Sequence, residues 1–130
     1  MKTLFQIAAL SAALGTAACT AYADGHVLPI NAAETKAGTV LIDAKGMSLY
    51  TFDKDSNGTS NCNGGCAKSW PPVLASDKAH DEGGFSVITR NDGSRQWAFN
   101  GAPLYGWQGD RKPGDVTGDG VGGTWHLARP

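Results

Sequence analysis

The chain has 130 residues, with 11 Lys and Arg against 12 Asp and Glu, for a formal net charge of −1 at pH 7. That balance argues against a polyanion-binding surface, and no nucleic-acid partner is expected. Glycine is plentiful, at 18 residues, while aliphatic runs are sparse, so the aromatics must supply much of any buried area.

Residues 1–23 read as a signal peptide. Lys2 gives the positive start, and Leu4 to Leu14 form an apolar stretch too short to be a stable membrane-spanning helix. Ala21-Tyr22-Ala23 has the small-x-small form of a signal peptidase site, which places the mature start at Asp24. A competing reading uses Cys19 as a lipid-modified cysteine, but Thr16 stands where a large apolar residue is usual. Both readings give an exported protein, periplasmic or secreted, and the first is preferred.

Residues 24–36 read as a loose leader with at most one helical turn. Thr39-Val40-Leu41-Ile42 is a strand signal, Lys45-Gly46 a turn, and Ser48 to Phe52 the partner strand. Alternation along that strand puts Tyr50 and Phe52 on one face and Leu49 on the other. A polar loop runs from Asp53 to Gly65, a helical turn is expected at Ala67 to Trp70, and Pro71-Pro72 stops it. Further on, Phe85 to Thr89 is a strand, Asn91-Asp92-Gly93 a turn, and Gln96 to Phe99 another strand. Asn100-Gly101 then predicts a type I′ hairpin, in which both central residues need positive φ. Leu104 to Trp107, a Gly-rich loop over 109–123 and Trp125 to Ala128 complete the chain.

One pattern organises these elements. Leu49-Tyr50-Thr51-Phe52 with Asp55 recurs as Leu104-Tyr105-Gly106-Trp107 with Asp110, and Gly46 and Trp70 recur as Gly101 and Trp125, all 55 positions on. The expected fold is therefore all-β. It is a small antiparallel domain over 37–130, built from two tandem hairpin repeats (about 37–75 and 85–130) with long loops. Neither copy can bury its rings alone, so the two should pack together as a monomer whose closure removes exposed strand edges.

Three stretches resemble the family of exported proteins and predicted lipoproteins named for a Tyr-x-(Phe/Trp/Tyr)-x-x-Asp motif, also described as a secreted repeat of unknown function. They are Gly46 to Asp55, the Cys62-x-x-x-Cys66-x-x-x-Trp70-Pro71-Pro72 block, and Gly118-x-Gly120-x-Gly122-Gly123-x-Trp125. The resemblance implies export, frequent lipid anchoring and a tandem β-repeat, with no established chemistry. The chain departs from the lipoprotein pattern at Cys19.

Each chemistry-bearing group has a plain reading beside a functional one. Tyr50, Phe52, Tyr105 and Trp107 are read as core between the copies, with Asp55 and Asp110 holding loop amides or a tyrosine hydroxyl, and Trp70 and Trp125 as structural aromatics. The alternative is an aromatic platform for a ligand such as a sugar. Cys62 and Cys66 are read as a disulfide suited to an oxidising compartment, worth about 2 kcal/mol because the ring is short. Copper(I) on two thiolates with His80, His126 or Met47 is an alternative, and redox exchange a weaker one. Covalent haem is rejected, since the spacing is wrong and Ala67 follows.

Asp53-x-Asp55-x-Asn57-Gly58 opens like a calcium loop, but position twelve is Gly64, not Glu. Asp115-Val116-Thr117-Gly118-Asp119-Gly120 is a weaker match, with His126 at its twelfth position. Plain turn chemistry explains both. His26, His80 and His126 form no catalytic pattern, and no nucleophile elbow or metal-protease signature is present. The reading is a non-catalytic envelope or periplasmic module without a cofactor. Metal handling and an enzyme acting on envelope polymers are the alternatives, and ligand and partner are unknown.

Overall fold

The computed structural model describes residues 25–130. The segment read as a signal peptide and Cys19 lie outside the described residues. Seven short strands carry the fold: β1 (Asn31–Thr35), β2 (Gly38–Ile42), β3 (Tyr50–Phe52), β4 (Phe85–Thr89), β5 (Arg95–Phe99), β6 (Ala102–Pro103) and β7 (Trp125–Leu127). Among the described residues helix is confined to α1 (Gly65–Ser69) and a 3₁₀ turn at Val121–Gly123. The all-β expectation holds.

Asn31–Thr35 corrects the leader boundary. Instead of a loose segment it is a strand, antiparallel to β2, with Ala33 opposite Val40. Its Asn-Ala-Ala-Glu-Thr sequence has no aromatic and, apart from Thr35, no β-branched side chain to mark a strand; it is an edge held by backbone pairing and mostly exposed. Closure among the described residues is therefore incomplete: β1 has no strand partner on its other edge there, and Glu34 on it accepts from the Thr39 hydroxyl. The repeat begins earlier than the hydrophobic pattern indicates.

In the second copy, β4, β5 and β6 form a meander with Phe85 opposite Phe99 and Phe99 opposite Ala102. The turn between β5 and β6 has Asn100 at φ 49° and Gly101 at φ 87°, the expected type I′ geometry. The corresponding turn of the first copy is wider. Its amides at Lys45 and Met47 both donate to the Asp43 carboxylate, and Gly46 takes φ 86°.

The two copies exchange their closing segments. β7, at the end of repeat two, pairs with β3 of repeat one, with Tyr50 opposite Leu127 and Phe52 opposite Trp125. Conversely, the segment after Trp70 lies along repeat two, where Gly106 N donates to Pro71 O and Ala75 N to Arg95 O, at 2.8 and 2.9 Å. Each junction is a closed ring of three amides. Leu41 N donates to Ala128 O, Ala128 N to Leu49 O and Leu49 N to Leu41 O, at 2.8, 2.8 and 2.9 Å. In the other half Trp97 N donates to Val73 O, Val73 N to Leu104 O and Leu104 N to Trp97 O, at 2.8, 3.0 and 3.0 Å. At the centre, Tyr50 and Tyr105 exchange both backbone hydrogen bonds, at 2.8 and 3.0 Å. A pseudo-twofold axis passes between them.

Strand alternation then divides the interior in two. Leu49 and Leu104 face one core with Ile30, Leu41, Trp97 and Ala128. Tyr50 and Tyr105 face the other, with Val40, Cys62, Trp70, Trp125 and Leu127. The aromatic core lies under the two long loops and supports the candidate site.

Candidate functional site

Four rings stack in a column across the axis, in the order Phe52, Trp125, Trp70 and Trp107. Neighbouring centroids lie 4.2, 3.8 and 4.0 Å apart, and the two central indoles are parallel. Tyr50 meets Trp70 edge-on at 5.4 Å, and Tyr105 meets Trp125 at 5.1 Å. Tyr50 and Tyr105 are fully buried, Trp70 and Trp125 nearly so, and Phe52 and Trp107 are half-buried at the column's ends. A ring buried this way contributes roughly 4–6 kcal/mol of gross apolar transfer energy, before entropy is subtracted.

The motif aspartates complete the weld by crossing over. Tyr50 Oη donates to Asp110 Oδ2 at 2.6 Å, and Tyr105 Oη donates to Asp55 Oδ2 at 2.7 Å. Each repeat's tyrosine thus binds the other repeat's aspartate. Burial, reinforced by the aspartate partners, pushes both phenols well above the ordinary value of 10. Both remain neutral donors.

The two carboxylates sit in different surroundings. Asp110 Oδ1 accepts from Thr117 N and Thr117 Oγ1, at 2.9 and 2.7 Å, while Gly118 N donates to Tyr50 Oη at 3.2 Å. Loop two closes there on a residue that has no room for a side chain. A Cβ on Gly118 would lie 2.9 Å from both Tyr50 and Trp70.

Asp55 instead heads a relay of side chains. Asn61 N donates to its Oδ1 at 2.7 Å. Tyr105 Oη donates to Asp55 and lies 2.6 Å from Ser60 Oγ, which accepts from Arg90 Nη1 at 3.0 Å. Arg90 is buried and also donates to Gln96 Oε1 and Cys62 O, both at 2.8 Å. Burial raises the Asp55 carboxyl above its ordinary value, opposed by the Asn61 and Tyr105 hydrogen bonds and the Arg90 charge. The relay links a buried cation to a part-buried anion without direct contact, and every buried polar side-chain atom among the described residues is satisfied. Sequence reasoning missed Arg90, Ser60 and Gln96: Arg90 stands next to Asn91-Asp92-Gly93, where it reads as part of a solvated turn.

Cys62 and Cys66 form a disulfide with Cα atoms 5.2 Å apart, joining the buried end of the loop after β3 to α1. The weak metal candidates separate. Asp53 Oδ2 binds His126 Nε2 at 2.8 Å, Asp55 turns inward to Tyr105, and Asn57 lies over Gly101, where a Cβ would coincide with Asn57 Oδ1. In loop two, Asp115 accepts from Arg111 N, Lys112 N and Lys112 Nζ, which hold its carboxyl down at about 2, and Asp119 caps Leu127 N. Among the described residues no three His, Cys, Asp or Glu side chains converge. His26 stacks on His80 at 3.6 Å and binds Glu82, away from the ring column.

Each end of the column borders a concavity that includes the opposite repeat's hairpin turn. At the Phe52 end, about 340 Å³ is lined by Asp55, Ser56, Asn57, Asn100, Gly101, Ala102 and Pro103. At the Trp107 end, about 480 Å³ is lined largely by apolar groups, including Met47, Pro71, Pro72, Val73 and Leu74. Asn57 and Asn100 have exposed amide side chains that hydrogen-bond to none of the described residues.

A family model described as a secreted repeat of unknown function matches the chain twice, over residues 31–74 and 86–129. Both matches begin at the first strand of a structural copy, and they repeat the 55-residue offset. No curated protein and no solved structure matches.

Proposed function

Because the chain belongs to a family of secreted repeats of unknown function, we propose that it is an exported, non-catalytic binding module of the cell envelope or periplasm, acting as a monomer. One observation carries the reading. The motif tyrosines and aspartates bond to each other across the axis, while unengaged polar side chains gather in the concavity beyond Phe52. A rigid β scaffold with uncommitted groups on its loops is the usual arrangement of a binding surface.

The test is chemical-shift mapping on the chain starting at Asp24, titrated with a soluble envelope extract of the producing cell. The module reading expects shifts at the amides of residues 51–58 and 100–102, with the extract chemically unchanged. Absence of shifts there, or consumption of an extract component, would overturn it. N-terminal sequencing of the exported protein checks the address. Asp24 is expected, and a blocked, lipidated Cys19 would contradict cleavage after Ala23.

A further inference from the structure

We propose that the concavity at the Phe52 end of the ring column binds a neutral saccharide, an inference that rests on the binding-module reading and specifies its ligand. Phe52 is held against Trp125 at 4.2 Å with planes 13° apart, and the rest of the column stands behind it. The platform is therefore ordered before any ligand arrives, which lowers the entropy cost of binding. The negative face of an aromatic ring attracts the weakly positive C–H groups that a sugar ring presents on one side.

Around that ring stand groups matched to hydroxyls. Asp55 is fixed by hydrogen bonds to both oxygens, from Asn61 N and Tyr105 Oη, each at 2.7 Å. Each carboxylate oxygen keeps a free lone pair that can accept from a hydroxyl. Asn57 and Asn100 each bring amide N–H donors that hydrogen-bond to none of the described residues. Both are positioned through their carbonyl oxygens, Asn57 Oδ1 against the bare Cα of Gly101 and Asn100 Oδ1 against that of Gly84. A ligand satisfying all three needs groups that donate and accept from one atom, which is what hydroxyls do.

The lining also says what the ligand is not. Among the described residues it contains no cationic side chain, so an anionic sugar or a phosphate would find no counter-charge and would stand beside the Asp55 carboxylate. It contains a single carboxylate, so a metal ion would find one anionic ligand. Burial raises the Asp55 carboxyl above its ordinary value, so the site disfavours a second negative charge placed beside it. The volume of about 340 Å³ suits one or two sugar rings, at the low end of the ~300–1,000 Å³ of small-ligand clefts.

The experiment titrates the isotope-labelled chain from Asp24 with chitotriose, cellotriose and maltotriose at millimolar concentration. At least one should shift the amides of residues 51–58 and 100–102. Asn57→Ala and Asn100→Gly should each weaken that binding about fivefold or more, the value of a lost hydrogen bond, with thermal midpoints unchanged. Glycine suits the positive φ of position 100, so the turn survives its substitution. Shifts elsewhere, or affinities indifferent to both variants, would overturn the proposal. No response to any of the three sugars, while the envelope extract still shifts the same amides, would overturn the saccharide and leave the module reading standing. No response to either removes both.

Discussion

The two halves of the molecule solve one problem by different means. Each must bury an aspartate that holds the other half's tyrosine. The Asp110 half uses a threonine, a backbone amide and a glycine, and needs no further charge. The Asp55 half uses its own Ser60 with Tyr105, Gln96 and the buried guanidinium of Arg90 borrowed from the other half, and braces its loop with a disulfide. Duplication supplied the architecture. The two ends of the ring column differ as well, one bordering a polar concavity and the other a largely apolar one.

The column itself should be indifferent to which half is damaged. Trp125→Ala and Trp70→Ala each remove a ring that touches three others, and each should cost about 3–5 kcal/mol in denaturant unfolding. A large inequality between them would show that the halves are not energetically equivalent at the axis.

The loops should not be equivalent. Reducing Cys62–Cys66 should cost about 2 kcal/mol and speed amide exchange over residues 60–69, leaving 115–124 unchanged. Exchange rising equally in both loops would mean that the disulfide acts on the whole fold. Next in size, Tyr105→Phe and Tyr50→Phe should each cost about 1–2 kcal/mol. Each removes the hydroxyl that partners a carboxylate and a second group, Ser60 Oγ for Tyr105 and Gly118 N for Tyr50.

The smallest effects appear in titration. In the chain from Asp24 the tyrosines are Tyr50 and Tyr105. Their folded-state pKa values are raised, so the stability they contribute is fully present below the unfolded value near 10 and is lost as pH rises through the folded values. Tyrosinate absorbance should therefore stay silent past pH 10 and appear only with unfolding. Asp55 has the same sign, since burial raises its pKa above 3.8 in the fold. Its contribution is present below 3.8 and declines as pH rises through its folded value, and Asp55→Asn should flatten that part of the stability curve. Asp115, lowered to about 2, has the opposite sign and favours folding less as pH falls from 3.8 toward 2.

Much of this architecture can be read from residue spacing. The type I′ turn at Asn100-Gly101 and the alternation of Leu49 with Tyr50 both follow from local chemistry. The offset that superposes Trp70 on Trp125 places them as equivalents about the axis. Three features do not surface. β1 is an edge strand of small and polar residues, and its pairing rests on backbone bonds that leave no side-chain pattern. The exchange of closing segments is invisible because a repeat pattern is the same whether Trp125 returns to its own hairpin or to its neighbour's. Arg90 is hidden by its place beside a turn, where a buried cation has no distinguishing neighbour in the chain.

Mutual completion of the two repeats is the central claim, and fragment complementation tests it most directly. Residues 25–83 and 84–130, divided in the exposed turn at Gly83-Gly84, should each be unfolded alone and regain native near-ultraviolet dichroism when mixed in equal amounts. Cooperative folding of either fragment as an isolated monomer would contradict the interlocked arrangement.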